Sequence, residues 1–338
     1  MNHSLDKIPT IKLASLPTPF DEAKRLADKI GMSKLFIKRD DLTGLAGGGN
    51  KARKLEYDFA EIIKGGYDVV ITAGGIQSNH ARMTAAAARK LGLDVKLVLG
   101  GPDFDSAKGN LLLDVLFKAE IRYLVDDDAN SSLEKEMQKW ADELLQDGRK
   151  PFLIPIGGSA GLGALGYVKA MQELSAQLEN NNVQIILGVG SCGTFAGTIL
   201  GAKLFMSNAR VIGISVSRTV DAIKKRTKEL INESAALIDY KIDNEILIEC
   251  YDNYHDEYGI ITETGKQAIE LAANLEGILL DPIYTGKVMA GLIDLTDKKV
   301  IDNKIPVVFI HTGGMPIIFS FESELNKKTN FKKIFPAK

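Results

Sequence analysis

Sulfur and aromatic groups are scarce in this chain. Two cysteines, Cys192 and Cys250, and one tryptophan occur among 338 residues, and aromatics make up 7%. Two cysteines cannot build a disulfide framework. Histidine is equally thin: His3, His80, His255 and His311 show no metal-ligand spacing, so no metal site is expected. No excess of either charge exists. With 42 Lys and Arg against 44 Asp and Glu, the formal net charge of -2 leaves no footprint for nucleic acid. No basic block suggests an anionic membrane, and the apolar runs are short and bounded by glycine or charge, so no membrane span is expected. The first eight residues, Met-Asn-His-Ser-Leu-Asp-Lys-Ile, lack the apolar core of a signal peptide. No Walker sequence occurs, which removes one common nucleotide-binding device. A cytoplasmic protein acting on a small molecule is the expectation.

What is present is an ordinary globular composition, 45% hydrophobic and 25% charged. The length suits one or two domains. Leu16-Pro-Thr-Pro-Phe20 reads as extended, because each proline disfavours helix before it. Glu22 to Ile30 is a helix candidate and Lys34 to Lys38 a strand. Beyond them the chain alternates. Strands are expected at Val69–Thr72, Val95–Leu99, Ile121–Val125 and Phe152–Ile156, with helices at Asn79–Leu91, Asn110–Ala119 and Leu133–Leu145 between them. A second series places helices at Ala164–Leu178, Thr194–Met206, Val220–Leu237, Gly265–Leu275 and Thr285–Thr296. Its strands are Val183–Leu187, Val211–Ser215, Ile246–Cys250 and Pro306–Ile310. Short apolar strands alternating with helices predict an α/β fold with two open, mainly parallel twisted sheets covered on both faces. The expected division is a small domain, 53–163, inserted into a larger one made of 1–52 and 164–338.

Five glycine-rich or polar turns fall at the expected strand ends, where folds of this class carry function. The first, Leu45 to Glu56, brings Lys51 to a helix start behind the glycine triplet Gly47–Gly49. A lysine there can have its pKa lowered and become a nucleophilic amine. Read alone, Lys51, Arg53 and Lys54 fit a solvated basic turn more readily. The second, Ala73-Gly-Gly-Ile-Gln-Ser-Asn-His-Ala81, offers Ser78, Asn79 and free N–H groups to an anion such as a carboxylate, although Ser78 could simply cap the helix. In the third, Gly190, Ser191, Cys192, Gly193 and Thr194 open a helix after a strand and could cradle a phosphate. Gly188, Gly190 and Gly193 also match the dinucleotide fingerprint. The following strand has no acidic residue for a ribose, and Arg218 leaves an NADP-dependent oxidoreductase as a remote rival. In the fourth, Tyr284 is an acid/base candidate or a half-buried aromatic. In the fifth, His311 reads as a packed, hydrogen-bonded histidine. An amine, a phosphate cradle and an anion site together suit pyridoxal 5′-phosphate.

Taken in order, Gly47-Gly-Gly-Asn-Lys-Ala-Arg-Lys-Leu-Glu56, Gly74-Gly-Ile-Gln-Ser-Asn-His-Ala81, Tyr258-Gly259, Asp281-Pro-Ile-Tyr-Thr-Gly-Lys287 and His311-Thr-Gly-Gly314 form a recognisable set. Together they resemble the D-cysteine desulfhydrase / 1-aminocyclopropane-1-carboxylate deaminase family, pyridoxal-phosphate enzymes of fold type II (tryptophan-synthase-β-like). The resemblance implies that Lys51 forms the internal aldimine and that Lys54 and the Gly190–Thr194 loop hold the phosphate. It implies that Asn79 bonds the ring O3′ and that Ser78, Asn79 and His80 take the substrate carboxylate. Tyr258 and Tyr284 are similar to the family's two active-site tyrosines. Ring-opening deaminases resemble one another in a glutamate facing the pyridine nitrogen, where this chain has Thr285, and in His-Leu-Gly-Gly, where it has Thr312. Both departures imply the desulfhydrase branch. The implied activity is α,β-elimination on D-cysteine to pyruvate, ammonia and hydrogen sulfide by a homodimer. Alternatives are 1-aminocyclopropane-1-carboxylate deamination and a sulfo-lyase acting on cysteate.

Overall fold

The computed structural model describes residues 4–127, 129–255 and 259–325. In chain order the elements are β1 (Phe20–Glu22), α1 (Lys24–Lys29), β2 (Leu35–Lys38), α2 (Lys51–Gly65), β3 (Val69–Gly75), α3 (Asn79–Lys90), β4 (Asp94–Gly101), α4 (Gly109–Leu116), β5 (Glu120–Val125), α5 (Asn130–Gln146) and β6 (Pro151–Leu153). They continue as α6 (Gly161–Gln177), β7 (Gln184–Val189), α7 (Gly193–Phe205), β8 (Arg210–Ser215), α8 (Val220–Leu237), β9 (Glu249–Tyr251), α9 (Glu263–Glu276), α10 (Thr285–Asp297), β10 (Val307–Ile310), α11 (Met315–Ile318) and α12 (Glu322–Leu325). The expected α/β architecture is what is found. A six-stranded sheet runs β1-β2-β10-β7-β8-β9 and a four-stranded one β5-β4-β3-β6. Every pairing is parallel except β1 with β2. The central strands are buried on both faces: Ile185, Ile186 and Leu187 of β7 and Val307 to Phe309 of β10 have no exposed surface. Helices therefore have to cover each side.

Every strand of the four-stranded sheet lies between residues 69 and 153, and the strands on either side of that interval make the larger sheet. The expected division at 53 and 164 falls inside α2 and α6, and those two helices pack on each other. Their contact is backbone to backbone. A Cβ added to Gly166 would stand 2.3 Å from Arg53 O, and one added to Gly197 of α7 would stand 2.2 Å from Ala164 O. Glycine at both places lets α6 lie between α2 and α7 as a thin spacer. That geometry fixes where the two helix starts emerge.

Below the start of α2 lies a buried ionic network. Arg53 Nε donates to Asp40 Oδ2 at 2.8 Å and Arg53 Nη2 to Glu173 Oε1 at 2.8 Å, while Lys38 Nζ also donates to Glu173. Thr18 Oγ1 donates to Asp40 Oδ1 at 2.8 Å. Burial alone would raise the Asp40 carboxyl, but the Arg53 guanidinium overrides it and holds it below the usual carboxylate range. The network ties the end of β2, α2 and α6 into one unit. Removing one partner leaves buried charge uncompensated, so Arg53→Met is expected to cost about 3–5 kcal/mol of unfolding free energy. The Asp40 contribution is present above the ordinary carboxylate range and is lost as pH falls through its lowered value. Urea denaturation of Arg53→Met at neutral and acidic pH checks both; a loss below about 1 kcal/mol would show that the network is not structural.

Candidate functional site

The chain turns sharply before Lys51 because the glycines let it. Gly48 sits at φ 81, and a Cβ there would meet Asp41 O at 1.8 Å. Thr43 Oγ1 donates to Gly49 O and accepts from Gly49 N, each at 2.8 Å, and Asn50 N donates to Thr312 O at 2.9 Å. From α3, the fully buried Arg82 reaches back to donate to Ala46 O and, at 3.1 Å, to Gly48 O. The turn is therefore bound to the 311–314 turn on one side and to α3 on the other. Lys51 leaves it as the first residue of α2 and points into a cavity of about 450 Å³.

The cavity gathers all five turns. Its wall includes Asn50 and Lys51, Gly74 and Gly75 with Ser78, Asn79 and His80, the Gly188–Cys192 loop with Thr194, then Tyr284 and Thr312. Lys51 Nζ donates to Asn50 Oδ1 at 3.2 Å, and Asn50 Nδ2 donates to Thr194 Oγ1 at 2.9 Å. One asparagine thus joins the amine to the glycine loop. Burial, and next the Arg82 guanidinium, lower the Lys51 ammonium from its ordinary value to about 8. At pH 7 to 8 a sizeable share of it is free amine. Ser191 Oγ accepts from Ser159 Oγ at 2.7 Å, and Cys192, held at φ 71, stands at the N-cap position of α7 without a side-chain bond to the first N–H groups of that helix. Ser78 caps α3 by accepting from Ala81 N at 3.2 Å, which leaves its hydroxyl proton available to the cavity. Capping and cavity lining coexist there.

Several expected residues stand elsewhere than their anticipated roles require. Lys54 lies behind the cradle: Nζ donates to Gly157 O at 2.6 Å and to Ser159 Oγ at 3.3 Å, under Gly193. Burial and then the Lys51 charge push its ammonium well below its ordinary value. Lys54 is not among the residues that line the cavity. His80 turns inward, with Nε2 2.9 Å from Thr72 Oγ1, whose own proton goes to Ile154 O. That pairing makes Nε2 the protonated nitrogen and leaves Nδ1 with no hydrogen-bond partner among the described residues. Thr285 is the clearest departure. Its hydroxyl donates to Asp281 Oδ2 at 2.7 Å and accepts from Asp281 N at 2.7 Å, and it does not line the cavity. Tyr258 lies outside the described residues. His311 is packed as expected, with Nε2 3.0 Å from Leu279 O and Nδ1 accepting from Gly313 N at 3.2 Å. Asn50, Arg82 and Asp281 went unassigned in the sequence. Only Asn50, beside the lysine, gave a local signal.

Comparison with known proteins decides which group this cavity serves. The family model described as pyridoxal-phosphate dependent enzyme matches residues 11–313. The chain belongs to that family. A putative 1-aminocyclopropane-1-carboxylate deaminase of Pyrococcus horikoshii is 43% identical over 95% of this chain and 96% of its own length. D-cysteine desulfhydrase of Salmonella typhi is 40% identical over 94% of this chain and 98% of its own. The crystal structure of an ACC deaminase homologue superposes with a TM-score of 0.89 at 42% identity, covering 95% of this chain and 96% of that one. The cofactor of the family is pyridoxal phosphate, which sets aside the NADP reading of Gly188, Gly190 and Gly193.

This cavity fits that cofactor. A poised amine suits its aldehyde, the α7 start with the Ser191 and Thr194 hydroxyls suits its phosphate, and the volume is that of a small-molecule site. No helix of the described residues is long and apolar enough to cross a membrane, and no group of His, Cys, Asp or Glu among them could hold a metal. In protein stripped of cofactor, acylation of Lys51 should rise with a midpoint near pH 8, against about 10.4 for exposed lysines. Peptide mass spectrometry across pH reads it. A midpoint near that of the other lysines would remove the poised amine, as would a Lys51→Ala protein that kept the cofactor's visible absorption band.

Proposed function

We propose that the protein catalyses α,β-elimination on a β-substituted amino acid, D-cysteine first, releasing pyruvate, ammonia and hydrogen sulfide. The observation that carries this reading is that the Lys51 amine and the α7 phosphate cradle face one cavity, joined through Asn50. Bound pyridoxal phosphate supplies an aldehyde for capturing the substrate amine and an electron sink for the charge left when the α-proton departs. Lys51 Nζ would take that proton; its lowered pKa leaves it basic enough and largely unprotonated above pH 8. The Ser78 hydroxyl and the first N–H groups of α3 hold the substrate carboxylate. Tyr284, whose ring lies beside Gly190, stands where it can hand a proton to the departing sulfur. Consumption of one water completes the conversion of cysteine to the three products.

The choice of D-cysteine over ring opening rests on charge. No Asp or Glu is among the residues of the described chain that line the cavity, and Thr312 offers a hydroxyl there. A neutral partner leaves the pyridine nitrogen less protonated and the ring a weaker sink. Expelling thiolate, a good leaving group, tolerates that; opening a cyclopropane does not. Thr312 therefore takes the ring-facing role that the resemblance gave to Thr285. The same reading includes the homodimer of the resemblance, a cytoplasmic location, and a small domain formed by 53–163. Steady-state assays test the substrate. Pyruvate from D-cysteine is expected with a kcat/KM at least 100-fold above that for 2-oxobutyrate from 1-aminocyclopropane-1-carboxylate, on the order of 3 kcal/mol in transition-state stabilisation. The reverse order would make the protein a deaminase, and faster pyruvate release from cysteate would make it a sulfo-lyase.

A further inference from the structure

The Asn79 amide is turned by groups that can hydrogen-bond in only one sense. The start of α4 closes over the turn that precedes α3. Asn110 N donates to Gln77 Oε1 at 2.9 Å, and Gln77 Nε2 donates to Lys108 O at 3.1 Å. Asn110 is fully buried, with Nδ2 2.8 Å from Gln77 O and 2.9 Å from Asn79 Oδ1. A peptide carbonyl only accepts, so the end of Asn110 facing Gln77 O has to be its NH₂. That NH₂ also meets Asn79, and the Asn79 atom it meets has to be the acceptor. Arg82 Nη2, which only donates, approaches the same Oδ1 at 3.4 Å. Two independent neighbours thus demand the carbonyl oxygen on that side. The Asn79 nitrogen is then the end left for the cavity that Asn79 lines.

We infer that Asn110 is a positioning residue, holding Asn79 so that its Nδ2–H donors face the cavity and meet an acceptor oxygen of the bound group. The inference rests on the pyridoxal-phosphate reading, in which that acceptor is the ring O3′. The arrangement leaves Asn110 Oδ1 buried with no protein partner among the described residues, a cost that packing alone would not require. A reversed Asn79 amide would set carbonyl oxygen against ring oxygen. Asn110 never touches the cofactor in this account and acts only through Asn79.

A double-mutant cycle separates that role from a structural one. Asn110→Ala, Asn79→Ala and the double variant are loaded with pyridoxal phosphate. The dissociation constant is read by equilibrium dialysis, the visible band by a pH titration, and folding by thermal melting. Asn110→Ala should weaken cofactor binding about tenfold in the wild-type background, the size of one hydrogen bond, and less than about twofold in the Asn79→Ala background. It should also shift the midpoint of the visible band only where Asn79 is present. Equal weakening in both backgrounds, or none in either, overturns the inference. Where Asn110→Ala does not fold, Asn110→Asp keeps the shape without the donor and is expected to show the same pattern. If neither folds, the wild-type Asn79 side-chain NH₂ resonance, assigned by its loss in Asn79→Asp, decides: it moves on adding cofactor if the NH₂ faces it, and a fixed resonance overturns the inference. A wild-type protein that takes up no pyridoxal phosphate sinks the functional reading and this inference together, an outcome distinct from the others.

Discussion

Three helices packed at backbone distance set the separation on which the site depends. Because α6 meets α2 at Gly166 and α7 at Gly197, the first turns of α2 and α7 come up side by side, and Asn50 can bridge them. A side chain at either glycine would push the lysine and the phosphate cradle apart by the width of a methyl group or more. The buried Arg53–Asp40–Glu173 network then locks α2 against rolling on α6. Charges that deep are poor sources of net stability, since desolvation offsets most of their attraction. Their directional bonds specify one orientation of α2, and Lys51 is two residues from Arg53 on that helix.

One residue, Arg82, contributes to both the shape of the turn and the electrostatics at Lys51, where burial is the larger cause. Arg82 shapes the turn by bonding Ala46 O and Gly48 O, and its charge opposes an ammonium at Lys51. Arg82 is itself lowered to about 10 by burial, with Asp114 pulling the other way. A turn held only by neutral donors could have the same path, yet it would leave the lysine more fully protonated. Holding the backbone with a cation therefore couples the position of the amine to its reactivity. Lys54, buried one turn along, is itself lowered by burial and by the Lys51 charge.

Much of this was legible in the chain. The helix expected at Val220–Leu237 is found at those residues, because its apolar positions recur at helical spacing and Thr219 caps it. The lysine turn, the Ser78 turn and the Ser191 loop were readable as glycine and polar clusters at strand ends, and they do meet in space. Other features depend on tertiary pairing and left no local trace. β1 pairs antiparallel with β2 from Phe20, read as the end of an extended segment, to Glu22, read as the start of a helix, and β9 is confined to Glu249–Tyr251 where β8 offers it a partner, short of the expected start at Ile246. Asn110 is an unremarkable polar residue at a helix start until α4 is folded over Gln77. Lys54 and His80 illustrate the converse. Their motifs placed them correctly along the chain, but Gly157 O and Ser159 Oγ take the Lys54 amine and Thr72 takes His80 Nε2.

Thr285 shows why a motif position is not yet a chemical role. Asp281 accepts from Ile283 N, Tyr284 N, Thr285 N and the Thr285 hydroxyl at 2.7 to 3.0 Å, so it caps the start of α10 from inside the protein. A Cβ on Gly314 would stand 2.6 Å from the Asp281 carboxyl carbon, so the same cap abuts the turn that carries Thr312. Burial raises the Asp281 carboxyl despite those four donors, and a second carboxylate at 285 would add like charge to a site already short of solvation. Swapping threonine for glutamate there would have to rebuild the cap as well as change the charge facing the ring. The cap thus holds Thr285 out of the cavity, whose lining among the described residues carries no carboxylate and includes the Thr312 hydroxyl. A side chain at 285 could reach that cavity only if the start of α10 were capped in another way.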